Sequence, residues 1–221
     1  MNEPFSLSFT LEILPLLLRG AGVTFLATAG GFIAALIVGA MLFATTLRPF
    51  KMLALPGRII MEVLRSTPLL IQVYILFFIL PNVGLTLSPI VTGLIALGLY
   101  HGAYVAEAYR AAISHIPRTQ WDTIEALRFP RRAAFRHVVF PQMASPLVPA
   151  LGNTFITMLK DTPILAAVTV PELMFEANEV GSQTFRYIEP MTLAALSYLL
   201  MSLLAASFVF LIESRLRGRF H

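Results

Sequence analysis

The sequence predicts an all-α integral membrane protein with five transmembrane helices. This prediction rests on three observations: the composition, the long runs without charge, and the alternation of basic and non-basic loops. Of the 221 residues, 57% are hydrophobic and 13% are charged, whereas soluble domains average about 45–50% apolar and about 25% charged residues. This composition excludes an ordinary water-soluble protein, and it excludes intrinsic disorder, which needs low hydrophobicity and many charges. Because each span takes about 20 apolar residues, the length allows about five crossings.

The spans are located by runs that contain no Asp, Glu, Lys or Arg. Four such runs occur, at residues 20–47, 66–106, 138–159 and 190–212. The second run is long enough for two spans, and the Pro81–Gly84 segment inside it marks a turn. Backbone in lipid must satisfy its own hydrogen bonds, so each span is expected to be helical. The predicted spans lie near residues 20–44, 62–80, 88–111, 143–168 and 190–213.

Basic residues in the connecting segments predict the orientation, because Lys and Arg concentrate in cytoplasmic loops. The 81–88 link carries no charge, and the 169–189 link carries four Glu against one Arg. The basic segments contain Arg48, Lys51 and Arg58 in 44–61, Arg118, Arg128, Arg131, Arg132 and Arg136 in 112–142, and Arg215, Arg217 and Arg219 in the tail. This pattern predicts an outside N-terminus and a cytoplasmic C-terminus. Residues 5–18 are either an interfacial helix or the outer end of the first span.

The 112–142 connection is the longest on the predicted cytoplasmic side, and it contains a short amphipathic pattern. The pattern consists of Trp121, Ile124 and Leu127 at intervals of three, with Asp122 and Glu125 on other faces. A two-turn helix of this kind outside the membrane suits docking of a soluble partner. A helix that lies on the lipid headgroups explains the same pattern, so both interpretations stay open.

Polar side chains at membrane depth are candidate functional residues, because each costs several kcal/mol unless it is paired or hydrated. On the third predicted span, Tyr100, Tyr104 and Glu107 form a stripe at helical spacing, and Arg110 follows Glu107 by three residues. The stripe either faces a polar translocation path, or Glu107 and Arg110 form a structural clasp.

His101 lies near the middle of the same predicted span. It stands between Gly98 and Gly102, whose spacing lets another helix approach closely. A lone His is more often a packed, hydrogen-bonded residue than a ligand contact, and nothing at metal-ligand spacing accompanies it.

The fourth predicted span carries a polar line. Asn153, Thr157 and Asp161 recur every four residues, and Lys160 adjoins Asp161. This arrangement suits a zwitterionic solute, whose carboxylate would meet Lys160 and whose amine or amidinium would meet Asp161. The alternative places Lys160 and Asp161 at the outer headgroups.

Glu62 and Arg65 lie three residues apart at the start of the second predicted span. Pro68 follows them, and because it removes a helix hydrogen bond it predicts a kink. The pair is interpreted as a structural element on the inner side rather than as a solute contact.

Several segments resemble, in the same order, the permease subunits of ATP-binding-cassette (ABC) importers for polar amino acids, such as histidine-, glutamine- and arginine-type permeases. The 112–142 loop is similar to the coupling loop of that family, and its counterparts here are Pro117–Arg128 and Pro141–Gln142. The other similar segments are Glu62–Gln72, Tyr104–Arg110, Leu147–Asn153, Lys160–Pro163 and Glu172–Leu173. The resemblance extends over residues 15–215, and the run His101–Pro190 is most similar to permeases for ectoine and hydroxyectoine.

The resemblance implies one transmembrane permease domain over residues 1–221, with the type I ABC importer transmembrane fold. It implies a transport subunit for polar amino acids or ectoine-like compatible solutes, rather than an enzyme. Its implied partners are two ABC ATPase subunits, a second permease subunit (the same or a homologous chain), an extracytoplasmic solute-binding protein and the bacterial inner-membrane bilayer, without nucleic acid. ATP and Mg are expected at the ATPase subunits and no cofactor on this chain, which lacks a Gly-x4-Gly-Lys-Ser/Thr loop.

Two sets of residues carry these implied roles. The implied ATPase-coupling residues are Gln120, Trp121, Asp122, Glu125, Ala126, Leu127 and Arg128. The candidate solute-pathway residues are Tyr100, His101, Tyr104, Glu107, Asn153, Thr157, Lys160 and Asp161. The acidic cluster of Glu172, Glu176, Glu179 and Glu189 either meets the binding protein or is a solvated loop face.

The chain departs from the family pattern after the coupling helix. Arg128 replaces the family Gly, and Asp122 replaces its Glu. Because glycine tolerates positive φ and arginine does not, a different turn or an ordinary φ is expected at Arg128.

Two other classes of function compete with the permease interpretation. An intramembrane hydrolase would need a Ser nucleophile beside His101, and no Gly-x-Ser-x-Gly motif is present. A secondary transporter would be supported by inverted internal repeats, and none is found.

Overall fold

A computed structural model describes residues 5–47 and 51–217, and within these ranges the regular structure is helical, without strands. The all-α prediction is therefore confirmed for this part of the chain. The α-helices are α1 Leu7–Thr45, α2 Lys51–Ser66, α3 Leu69–Tyr74, α4 Pro89–Ser114, α5 Arg118–Ala126, α6 Arg131–Ala134, α7 Phe140–Asp161, α8 Leu173–Thr184 and α9 Ile188–Arg217. Two π-helical segments, Ile75–Ile79 and Phe135–Val139, and two 3₁₀ segments, Leu80–Val83 and Thr162–Val168, extend these helices. Arg48, Arg219 and the side chains of Lys51 and Arg217 lie outside the described residues.

Three of these helices, α1, α4 and α9, are long and apolar enough to cross a membrane. A fourth candidate span is the bent pair Met52–Ser66 and Leu69–Val83. α7 covers most of the fourth predicted span, but Pro146, Pro149 and its polar line lower its apolar character. The count of five spans and the orientation of the termini stay predictions.

Residues 7–45 form one continuous helix, with Ser6 as the N-cap and Pro15 inside. The segment 5–18 is thus not a separate interfacial helix, because its residues from Leu7 onward continue into the first predicted span. At a rise of 1.5 Å per residue, 39 residues extend about 58 Å, well beyond the hydrocarbon core of about 30 Å.

The kink predicted at Pro68 is confirmed, and it divides the predicted span 62–80 between two helices. α2 ends at Ser66, and the axis turns by 104° before the helix that begins at Leu69. Pro68 explains the break, because it has no N–H and disfavours a helical conformation of the residue before it. The Gln72 side chain seals the break, since its Nε2 donates to the carbonyls of Leu64 at 2.7 Å and Thr67 at 3.1 Å.

The most extensive helix contact in the described part of the chain is between α1 and α4, where small residues line both helices. On α1 these residues are Ala27, Gly31, Ala35 and Gly39, which are all buried and four residues apart. On α4 they are Gly98, Gly102 and Ala106. A Cβ added to Gly39 would lie 2.5 Å from Cγ1 of Val105, and one added to Gly102 would lie 2.7 Å from Cγ1 of Val38. Small residues therefore let the two backbones approach, as in other membrane helix pairs.

Glu172 joins α1 to α8 and α9. Its carboxylate accepts hydrogen bonds from the backbone N–H groups of Met174 and Phe175, from Oγ1 of Thr24 and from the Tyr198 hydroxyl. The side chain has no solvent exposure, and burial raises the pKa of Glu172, against the opposing effect of its four donors.

The four glutamates of the segment 169–189 are thus not all exposed at the surface. Glu172 and Glu189 are buried, and Glu189 accepts from the backbone N–H of Ser6 and pairs with Arg186. Both carboxylates hold helix ends together, so of the four only Glu176 and Glu179 keep the expected solvated or docking character.

The packing of α1 on α4 predicts that Gly39→Ala destabilises the protein by about 1–3 kcal/mol, because the added methyl group overpacks the contact with Val105. Thermal unfolding of the purified full chain in detergent measures the effect. Gly22→Ala is the matched control on the same helix, since a Cβ there meets no atom within 4 Å. That control is expected to be neutral or up to about 1 kcal/mol stabilising through helix propensity. Equal midpoints for the two variants would contradict this account of the packing.

Candidate functional site

A polar cavity of about 400 Å³ lies between α4 and α7. Its lining consists of Tyr100, His101, Tyr104, Asn153, Thr154, Thr157 and Asp161. Six of the eight candidate pathway residues thus surround one space, whose size falls within the range of small-molecule sites. Tyr100 and Tyr104 share a face of α4 because they are four residues apart, and the same spacing aligns Asn153, Thr157 and Asp161 on α7.

His101 and Asp161 lie side by side at the centre of this cavity. Nε2 of His101 lies 3.1 Å from Oδ2 of Asp161, which is an ion-pair distance. The ring nitrogen still makes no hydrogen bond of acceptable geometry within the described residues. His101 is buried, whereas Asp161 is partly exposed to the cavity. The carboxylate therefore keeps hydrogen-bonding capacity for a bound group.

The two tyrosines form an aromatic wall beside His101 and Asp161. Their ring centroids are 5.4 Å apart and their hydroxyl oxygens 3.5 Å apart. The Tyr100 ring also meets the His101 ring edge to face, with centroids 5.1 Å apart. Aromatic faces next to a carboxylate favour cations, and Asp161 stands at the negative C-terminal end of α7. The site thus suits a cationic group on one side, and it offers neutral donors from Asn153 and Thr157 on the other.

Two predicted pathway residues do not line this cavity. Lys160 is exposed on another face of α7, because neighbouring positions of a helix point about 100° apart. The predicted contact of a solute carboxylate with Lys160 in the same space was therefore wrong. Glu107 pairs with Arg110, whose Nε donates to Oε2 at 2.9 Å, and it lines a different cavity. Of its two interpretations, the clasp is the one that the structure contains.

Thr154 lines the cavity but was missed by the sequence analysis. It lies three residues before Thr157, so it borders the same helix face. Its hydroxyl donates to the backbone carbonyl of Ala150 at 2.9 Å, which is the usual way for a helical Thr to satisfy its donor. The sequence does contain the signal, because the i, i+3 spacing from Thr157 places Thr154 beside the polar line.

The helix α5 presents the second candidate surface, outside the cavity. No residue of this helix is fully buried. Only Ile124 packs inward, against a cluster that includes Ile116 and Met143, whereas Trp121 is 40% exposed and Leu127 is 70% exposed. Two of the three apolar side chains of the predicted amphipathic pattern are therefore uncovered in the described part of the chain.

The turn after α5 keeps a left-handed conformation. Arg128 has φ 47°, and so the expectation of a different turn or an ordinary φ was wrong. The backbone N–H of Phe129 donates to the carbonyl of Ile124, and that of Arg128 donates to the carbonyl of Glu125, each at 3.0 Å. These are the two bonds of a Schellman motif, which requires positive φ at this position whatever the side chain.

Comparisons with known proteins agree on one family. A family model described as the inner membrane component of binding-protein-dependent transport systems matches residues 36–218. A probable amino-acid ABC transporter permease protein of Sinorhizobium fredii is 35% identical, over 96% of this chain and 92% of that protein. A probable glutamine ABC transporter permease protein of Bacillus subtilis is 32% identical, over 86% and 87%.

Solved structures share the fold. A crystal structure described as an amino acid ABC transporter with histidines has a TM-score of 0.89 at 29% identity, and the match covers 96% of this chain and 99% of that chain. An inward-facing structure of the MetNI methionine ABC transporter has a TM-score of 0.71 at 21% identity, covering 93% and 98%. At that lower identity the likeness concerns the fold alone.

The left-handed φ of Arg128 predicts that Arg128→Gly stabilises the end of α5 by about 1 kcal/mol, because glycine adopts this conformation without a Cβ clash. Hydrogen exchange of the peptide 118–130 in the purified full chain is expected to slow about fivefold. Arg128→Ala is the matched control, since it removes the same charge but keeps the Cβ. If both variants gain the same protection, or if neither gains any, the proposed backbone strain at Arg128 is contradicted.

Proposed function

The chain belongs to the family of inner membrane components of binding-protein-dependent transport systems, and from this premise we propose that it forms the solute path of an ABC importer for polar amino acids or related compatible solutes such as ectoine. It is a transport component rather than an enzyme, as its relatives are named permease proteins. The observation that carries the proposed solute class is the polar cavity between α4 and α7.

The cavity supports a zwitterionic solute. Asp161 supplies a carboxylate for an ammonium or amidinium group, and the faces of Tyr100 and Tyr104 favour the same charge. Neither Lys nor Arg is among the lining residues. The solute carboxylate is therefore received by neutral donors, the Asn153 amide and the Thr157 hydroxyl. Relatives are named for glutamine and L-cystine, which carry the same pair of charged groups.

Two features support coupling to a separate ATPase through the 112–142 loop. The apolar side chains of Trp121 and Leu127 are exposed at α5, by 40% and 70%. The sequence also has no phosphate-binding loop of its own. Two ATPase subunits that use ATP and Mg, a second permease and an extracytoplasmic binding protein complete the proposed assembly, in a bacterial inner membrane with five spans and a cytoplasmic C-terminus.

Asp161→Asn is expected to lower the rate of solute uptake at least tenfold, because loss of a charge-assisted hydrogen bond costs about 1.5–3 kcal/mol. The measurement is uptake into proteoliposomes that contain the whole importer, normalised to the amount of permease. Glu12→Gln, which neutralises an exposed carboxylate on α1, is the control and should transport as the wild type does. Unchanged uptake kinetics for Asp161→Asn would remove this residue from the path.

Trp121→Ala and Asp122→Asn are expected to reduce solute-stimulated ATP hydrolysis and uptake severalfold while the permease still inserts into the membrane, because both side chains are exposed on α5. The control is Arg132→Gln, on α6 of the same loop. Membrane content, copurification of the ATPase subunits and vanadate-sensitive uptake are measured together. If both variants transport normally and still copurify, α5 is not the coupling helix; uptake without ATP by the chain alone would exclude an ABC importer.

A further inference from the structure

A second polar cavity lies where the end of α1 meets α2 and α4. It has a volume of about 380 Å³ and shares no lining residue with the cavity between α4 and α7. Its lining consists of Thr46, Arg58, Met61, Glu62, Arg65, Glu107 and Arg110. A water molecule occupies roughly 30 Å³ of liquid volume, so the space holds a small ion together with several waters.

The charges of this cavity do not balance. Three guanidinium groups face two carboxylates, and each carboxylate is already paired with the Arg three residues after it. Oε2 of Glu62 lies 2.6 Å from Nη2 of Arg65, and Glu107 holds Arg110 by two hydrogen bonds. Arg58 has no ion-pair partner among residues 5–47 and 51–217. The lining therefore carries one positive charge in excess.

A second observation points to a missing acceptor. The Nε–H of Arg65 is shielded from solvent, and it has no hydrogen-bond partner in the described part of the chain. A buried donor without an acceptor is unfavourable, and native proteins satisfy nearly all such groups. Arg58 and Arg65 lie seven residues apart, so they share a face of α2 and are about 10 Å apart along its axis. Both side chains line the same cavity, so an oxyanion in it lies beside both guanidinium groups.

We propose that this cavity is an anion site that binds a phosphate group between Arg58 and Arg65. Planar guanidinium groups bind phosphate oxygens in paired hydrogen bonds. Glu62 orients Arg65 from the side, and Glu107 holds the third guanidinium, that of Arg110. The phosphate comes either from an anionic lipid headgroup or from a soluble ion. The proposal is independent of the transported solute, because the two cavities have separate linings.

The test uses the full chain in nanodiscs of phosphatidylcholine in low-salt chloride buffer, with hydrogen exchange of the peptides that cover 52–66 and 104–114 as the readout. One arm adds inorganic phosphate, and the other replaces part of the lipid with phosphatidylglycerol. At least twofold slower exchange is expected in one arm. Protection by phosphatidylglycerol alone identifies a headgroup site, and protection by inorganic phosphate identifies a soluble-ion site.

Arg58→Gln is expected to lose this protection, whereas Arg58→Lys keeps at least part of it because the positive charge remains. Arg132→Gln is the matched control, an exposed Arg on the same predicted side of the membrane that lines neither cavity. It should keep the wild-type response. Absence of protection in both arms, or equal protection in wild type and Arg58→Gln, overturns the proposal.

Discussion

The close approach of α1 and α4 is the constraint on which the rest of the structure depends. Small residues on both helices bring the backbones together, so that the orientation of α4 about its own axis is fixed by steric fit. With Gly98 and Gly102 held against α1, Tyr100 and Tyr104 are directed toward α7, because two residues of a helix rotate its face by about 200°. The polar cavity is thus a consequence of apolar packing on the far side of the same helix.

The end of the protein that holds the 169–189 segment follows a different principle. There, hydrogen bonds of buried carboxylates join the helix ends. Glu172 caps α8 and accepts from side chains of α1 and α9, and Glu189 binds the first turn of the chain through Ser6. Burying a carboxylate is costly unless its oxygens are satisfied, and both residues have several donors. Acidic residues in a loop are thus structural here, although their charge alone suggests a surface.

The sequence carried enough information for the helices and for most of the cavity, and the reason is periodicity. Asn153, Thr157 and Asp161 share a face whenever their segment is helical, so their alignment needed no tertiary knowledge. The direction of Lys160 depended on which face of α7 meets α4, and that is a property of the packed structure. The size of the bend at Pro68 was also beyond local rules, since it depends on the hydrogen bonds of the Gln72 side chain across the break. The positive φ of Arg128 was beyond them too, because the helix-end motif requires it against the preference of the residue.

The bend between α2 and α3 has a consequence for the surrounding bilayer. At 104°, one of the two helices runs close to the membrane plane when the other stands along its normal. The segment after the bend, Leu69–Val83, has fifteen residues and extends about 22 Å, well short of a hydrocarbon core of about 30 Å. Where this segment crosses the bilayer by itself, the hydrophobic mismatch thins the lipid beside it, unless a neighbouring protein surface replaces lipid there.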